Sequence, residues 1–289
     1  MTIRQILTEG KRLLSLPCEE ALIDTPSLDA DLLLAETLKT NREKLIANGN
    51  ETIADDDGEK FFELLKRRRS GECIAYILGR REFRGLMFTV NPAVLVPRPD
   101  TEMLVEAALE FIDLRQKAVS SDQKQISLLD LCTGSGAVAI SLKNERPFIS
   151  AAASDISGEA LKAAKLNGEK SAQETVFIQS DLFENICGKF DIIVSNPPYV
   201  PSGEMASLAP EIKREPAIAL DGGKDGLDFI KKIIQAAPEH LFPQGALILE
   251  AGSEQIPHIA VLLENQGFIK IKVFKDLSGS ERVISGLKF

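Results

Sequence analysis

From residue 126 to residue 265, short apolar runs of strand type alternate with stretches of helical period. Strands are expected over 126–131, 149–154, 176–179, 190–194 and 246–250, and helices over 137–143, 158–168, 227–237 and 254–265. Successive parallel strands need helical crossovers, so the alternation predicts an α/β fold with a parallel, doubly wound sheet. The end breaks the pattern. Residues 269–275 and 282–287 flank Ser278-Gly279-Ser280 and read as a C-terminal antiparallel hairpin added to that sheet.

Residues 1 to about 75 carry helical periodicity alone and read as a small helical bundle. Ile3, Ile6, Leu7, Leu13 and Leu14 share one face. Ser27 is the expected cap of a helix carrying Leu28, Leu32 and Leu33, and 55–70 form another that Gly71 stops. The basic run Lys66-Arg67-Arg68-Arg69 reads as a solvated last turn that complements the helix dipole. Residues 76–97 look like a β-hairpin around Gly85 and a linker, the hinge between a domain of 1–75 and one of 98–289. Asp100 or Thr101 is the expected cap of the helix that follows, and 120–125 read as a polar surface loop.

Composition excludes several classes. The chain has 289 residues and a net charge of −9, which argues against a dedicated nucleic-acid binder. No apolar run is long enough for a membrane span, and Arg4, Glu9, Lys11 and Arg12 break any signal-peptide core. Cys18, Cys73, Cys132 and Cys187 are scattered without a CxxC pair, as expected of free thiols in a reducing cytoplasm. His240 and His258 are the only histidines, so neither a metal site nor a histidine-based triad is expected.

Two motifs carry chemistry. Asp130-Leu131-Cys132-Thr133-Gly134-Ser135-Gly136-Ala137 follows the first strand of the alternating region and opens a helix, where glycines let backbone approach a ligand. Asp155 ends the next strand, placed to grip ribose hydroxyls, and nucleoside binding follows, whether of NAD or of S-adenosylmethionine. Asp181, with Leu182, ends the third strand, where a carboxylate can accept from an adenine amino group. The fourth strand ends in Asn196-Pro197-Pro198-Tyr199. The prolines carry no N–H, so this turn is rich in acceptors, with an aromatic wall, and suits a planar NH2 group. That favours S-adenosylmethionine over a hydride carrier.

With Tyr76-Ile77-Leu78-Gly79, Glu82-Phe83-Arg84-Gly85-Leu86, Val96-Pro97-Arg98-Pro99-Asp100-Thr101-Glu102, Glu215-Pro216, the stretch 222–228 and Leu249-Glu250, these motifs resemble the HemK/PrmC family of protein-(glutamine-N5) methyltransferases. The resemblance covers nearly the whole chain. It implies a cytoplasmic, monomeric enzyme with an S-adenosylmethionine-dependent, Rossmann-like methyltransferase domain and a helical domain that binds protein substrate. The expected reaction methylates the glutamine of a Gly-Gly-Gln motif in peptide chain release factors and leaves S-adenosylhomocysteine. By the resemblance, Cys132, Thr133, Gly134, Ser135 and Gly136 face the methionine part of the cofactor, Asp155 its ribose, and Asp181 and Leu182 its adenine. Asn196, Pro197, Pro198 and Tyr199 receive the glutamine, with Asn196 also touching the cofactor; Asn196, Pro197 and Tyr199 are the catalytic set. The alternative is a DNA or RNA amino methyltransferase acting on adenine N6 or guanine N2, since Asn-Pro-Pro-Tyr is shared with such enzymes. Three positions depart from the family. Cys132 replaces a glycine and is strained if its φ is positive, Cys73 stands where proline is frequent, and Ala251 where a bulkier residue is frequent.

Overall fold

The computed structural model describes residues 1–17, 23–118, 125–171 and 174–289. Cys18 and residues 120–124 of the expected surface loop lie outside them. The chain divides into two compact units, Met1–Arg80 with Ser207–Arg214, and Arg81–Ala206 with Glu215–Phe289. Among the described residues, no helix is long and apolar enough to cross a membrane.

The first unit contains α1 (Ile3–Ser15), α2 (Pro26–Thr37), α3 (Arg42–Ala47), α4 (Asp55–Arg69) and α5 (Ile74–Leu78). Thr2 and Gln5 form a reciprocal capping box that starts α1. α2 begins at Pro26 rather than after Ser27. Proline suits a first helical position because its missing N–H would have no helical partner there. Ile6, Leu14, Leu33, Leu34, Phe61 and Leu65 are buried together. The basic run departs from expectation at one residue. Arg68 is only 4 % exposed, because Phe61, Leu65 and Arg68 repeat at helical spacing on the inward face of α4. Its guanidinium is paired, with Nε 2.7 Å from Asp29 Oδ2 and Nη1 3.0 Å from Glu211 Oε2, as a buried charge requires.

In the second unit, β1 (Arg80–Phe83) and β2 (Leu86–Thr89) turn through Arg84 and Gly85, both at positive φ, as two-residue hairpins prefer. The hairpin was expected as a separate linker. Instead, Phe83 and Phe88 meet edge-on at 6.1 Å within the core of this unit. Thr89 exchanges two hydrogen bonds with the Asn167 side chain. A turn of 3-10 helix at Pro99–Thr101 leads into α6 (Glu102–Ala118). The alternating region then follows as β3 (Ser127–Leu131), α7 (Ala137–Glu145), β4 (Ser150–Asp155), α8 (Gly158–Lys170), β5 (Thr175–Gln179) and β6 (Phe190–Ser195). It continues through α9 (Asp228–His240), β7 (Leu241–Glu250) and α10 (Ile256–Asn265), and ends in β8 (Phe268–Lys275) and β9 (Glu281–Lys288).

The sheet order is β5-β4-β3-β6-β7-β9-β8, parallel from β5 to β7, with β9 antiparallel to β7 and to β8. The expected doubly wound sheet with a terminal hairpin is therefore present. β7 starts five residues before its expected position. A register shift and Gln244 at φ 62 bulge the strand, and its exposed 242–244 segment masks the apolar pattern. Ile192 and Val194 pack with α6 and α7 on one face, and Ile193 with α9 and α10 on the other. A strand covered on both faces reads as a continuous apolar run. Strand order reverses between β3 and β6, and at such a switch point the carboxyl ends of the strands open a crevice.

Candidate active site

The glycine-rich turn is built around two carboxylates, buried Asp130 and half-buried Asp155. Asp130 on β3 accepts from Thr133 Oγ1 at 2.6 Å and from the Ala139 backbone at 3.2 Å. Burial pushes its carboxyl up to about 7. Asp155, at the end of β4, accepts from the Gly134 backbone at 2.8 Å through Oδ2 and from that of Ser157 at 2.9 Å through Oδ1. Its pKa is also raised by burial. Gly134 has φ 56, and a Cβ there would meet nothing within 4 Å. At Gly136 (φ 82) a Cβ would lie 2.8 Å from Ile140 Cδ1 and 3.2 Å from Ala164 Cβ, so this glycine lets α7 lie against α8. Cys132 adopts φ 58, the strained conformation that its place in the motif had raised as a risk. Burial and the neighbouring Asp155 raise its thiol pKa.

A cleft of about 290 Å³ opens at the strand ends. Cys132 and Gly134 from the β3 turn, Asp155 from β4, Asp181 and Leu182 after β5, and Asn196 and Pro198 after β6 all line it. A smaller recess of about 50 Å³ shares Cys132, Gly134 and Asn196 and is also lined by Thr101, Thr133 and Ser135. Gly136, Pro197 and Tyr199 line neither. Leu182 has φ 45, in a turn that the Ser180 hydroxyl holds by donating to the Leu182 carbonyl and accepting from the Asn185 N–H.

Asn196 stands where β6 leaves the sheet. Ser195 Oγ donates to the Leu131 carbonyl at 2.8 Å and locks β6 to β3. The Asn196 Nδ2 donates to Thr101 Oγ1 at 3.2 Å. Burial and the nearby Glu250 charge push the Tyr199 hydroxyl up to about 12. The turn is braced from outside. Val200 N–H donates to the Leu220 carbonyl, Gly222 N–H to that of Val200, and Gln255 Nε2 to that of Tyr199. A Cβ at Gly222 would fall 2.7 Å from the Pro198 carbonyl oxygen, and one at Gly226 2.2 Å from that of Tyr199. The 222–228 stretch is thus a backbone-to-backbone clamp on the Asn-Pro-Pro-Tyr turn.

Residues 5–79 match the family model described as PrmC N-terminal domain, and residues 114–224 match that of the methyltransferase small domain. A release factor glutamine methyltransferase of Clostridium acetobutylicum is 38% identical over 266 residues, covering 90% of each chain. One of Bradyrhizobium diazoefficiens is 38% identical over 288 residues, 98% of this chain and 95% of the relative. This chain belongs to the release factor glutamine methyltransferase family. It is accordingly a methyltransferase. Solved structures agree on the fold. The hMettl16 catalytic domain, bound to an RNA hairpin, aligns at TM-score 0.57 with 15% identity over 84% of both chains. The Thermus thermophilus 16S rRNA N2 G1207 methyltransferase, bound to AdoMet and guanosine, aligns at 0.52 with 21% identity over 73% of this chain and 50% of that one.

Sequence reasoning missed several residues that the fold brings to the site. Ala93, Ile218 and Phe229 wall the cleft from three separate segments, and no local motif marks them. Glu215 was visible only as part of Glu215-Pro216. Buried, it accepts from the Val96 N–H at 3.2 Å and pairs with Arg98, fixing the loop ahead of α6. Asp100 or Thr101 was expected as the cap of α6; of the two, Thr101 accepts from Asn196 Nδ2.

Proposed function

We propose that the chain transfers a methyl group from S-adenosylmethionine to the side-chain amide nitrogen, N5, of the glutamine in the Gly-Gly-Gln motif of peptide chain release factors. The reading is carried by Asn196, a side-chain amide at the rim of the cleft whose Nδ2 is held by Thr101, with Oδ1 left as an acceptor. The cleft's own features fit the methyl donor. Gly134 leaves open space for close approach of a ligand, and each Asp155 oxygen retains a lone pair beyond its one backbone bond, enough to hold ribose hydroxyls. The exposed carboxylate of Asp181 and the apolar side chain of Leu182 suit adenine, and the 132–136 turn suits the methionine end. Bound there, S-adenosylmethionine supplies a methyl group on a positively charged sulfur, open to in-line attack.

The protein's task is to position a poor nucleophile. Resonance ties up the lone pair of an amide nitrogen. Asn196 Oδ1 and the Pro197 carbonyl each accept one N–H of the substrate amide, which fixes its direction and favours positive charge developing on nitrogen. The Tyr199 ring packs against the amide plane.

The test is methyl transfer from labelled S-adenosylmethionine to release factor, to its Gly-Gly-Ala variant, and to bulk DNA and RNA in parallel. Label is expected on intact release factor alone. Asn196→Ala should lose at least about a hundredfold in turnover, as when an oriented transition-state hydrogen bond is removed, with cofactor affinity changed much less. Label on nucleic acid would move the acceptor to adenine N6 or guanine N2, and near-normal turnover in Asn196→Ala would refute the role of that residue.

A further inference from the structure

Glu250 ends β7, directly beside β6, with Ser195 in register with Leu249. The register therefore sets Glu250 beside Asn196. The carboxyl is 1 % exposed and lines neither the cleft nor the recess. The side chains of Thr101 and Asn196 lie beside it and favour its charged form, and its Oε2 has no hydrogen-bond partner. Burying a carboxylate is costly unless it is paired. The cation that acts on it, Arg282 on β9, makes its ion pairs elsewhere, at 3.4 Å with Asp100 and 3.5 Å with Asp276. The groups facing Glu250 are Asp100 and Thr101 from the turn before α6, Asn196 and Tyr199 from the loop after β6, and Arg282 from β9.

We infer that Glu250 is a positioning residue that sets which end of the Asn196 amide faces the substrate. The inference rests on the proposed role of Asn196 as acceptor. An ionised carboxylate only accepts hydrogen bonds, so the amide end that meets it is Nδ2. Nδ2 has two hydrogens: one reaches Thr101 Oγ1, and the other is left for Glu250, which the strand register sets alongside. Oδ1 is then the end left for the N–H of a substrate amide. A neutral carboxyl carries an O–H and can donate to Oδ1, which lets the Asn196 amide turn over and present a donor where an acceptor is needed. Burial, opposed by Thr101, Arg282 and Asn196, sets this carboxyl at about 7, so the switch falls within the working range.

The test is Glu250→Gln in the full-length protein, with three readouts. At saturating S-adenosylmethionine, kcat toward release factor should fall about tenfold, while KM and the cofactor Kd by calorimetry stay within about twofold. At pH 8 the variant should melt higher than wild type, because a buried charge has been removed; a merely structural role would lower both stability and turnover. In 15N spectra, the Asn196 side-chain NH2 resonances, identified by their loss in Asn196→Ala, should shift with pH through a midpoint near 7 in wild type and stay fixed in Glu250→Gln. Unchanged kcat in Glu250→Gln, or Asn196 resonances with no pH shift in wild type, would overturn the inference. The spectra need no methyl acceptor, so they judge Glu250 even if release factor proves not to be the substrate.

Discussion

Cys132→Gly should stabilise the second unit. Cys132 holds φ 58, where an L-residue pays about 1–2 kcal/mol for the contact of its Cβ with the following carbonyl. Glycine relieves that strain but frees the unfolded chain by about 0.4–1 kcal/mol. The thiol is half-buried and contacts Ser195, so its loss removes some packing. Cys132→Ala separates the terms, because it loses the same thiol and keeps the strain. The glycine variant should therefore exceed the alanine variant by about 0.5–1 kcal/mol, or roughly 1–4 °C in melting temperature for a unit of this size. Thermal melts and urea midpoints of the three proteins measure it, and calorimetry with S-adenosylmethionine should give a glycine-variant Kd equal to or tighter than wild type. If alanine equals or exceeds glycine, the positive φ is not strained and the reasoning fails.

Asp155→Ala should weaken S-adenosylmethionine binding by about tenfold or more, since it removes the proposed ribose acceptor and frees the Gly134 and Ser157 N–H groups; an unchanged Kd would contradict the ribose role. Asp130 sits near 7 in the folded chain against an ordinary value of 3.8. Between those values the folded chain keeps a proton that the unfolded chain has lost, so its contribution to stability is full below about pH 4, falls as pH rises to about 7 and is flat beyond. The drop amounts to at most ~4 kcal/mol, and Asp130→Asn should flatten it in urea midpoints taken at pH 5 and pH 8. Gly226→Ala puts a Cβ onto the Tyr199 carbonyl and forces a positive φ on alanine, so methyl transfer should fall with little change in cofactor Kd; unimpaired turnover would show that the outer clamp does not hold the Asn-Pro-Pro-Tyr turn.

Residues 126–265 were legible because strand and helix periods alternate there, and core strands such as β6 are apolar on both faces. Asp155, Asp181 and Asn196 could be placed on the cleft because each stands at or just past the end of a strand of that series, where an open parallel sheet opens its crevice. The residues behind and above them were not. Ala93 and Ile218 reach the cleft from irregular segments that carry no strand or helix period, and Phe229 from the first turn of α9, where no motif marks it. Arg68 read as solvent-facing because charge outweighed phase; its spacing from Phe61 and Leu65 already placed it inward, and Asp29 and Glu211, both distant in sequence, explain how the charge is tolerated. The bulged start of β7 was hidden by Pro243 and Gly245, residue types that interrupt or weaken strands.

The placement of Glu250 follows a chemical constraint as well as a geometric one. A methyl group on a positively charged sulfur is attacked by whichever nucleophile is aligned with it, and a carboxylate is a better nucleophile than a carboxamide nitrogen. A carboxylate facing the cleft beside Asn196 would therefore compete with the amide it is meant to orient. Strong basicity there would gain little, because the amide nitrogen acquires an acidic proton only as the new bond forms. An asparagine oxygen accepts an N–H without offering a reactive anion, and its weakness is that it can rotate to present the wrong end. Setting the charged acceptor one layer back, at the end of the neighbouring strand and outside both cavities, removes that ambiguity while keeping the carboxylate out of line. The cost of burying it is the raised pKa, so orientation of Asn196 and stability at alkaline pH are set against each other at one residue.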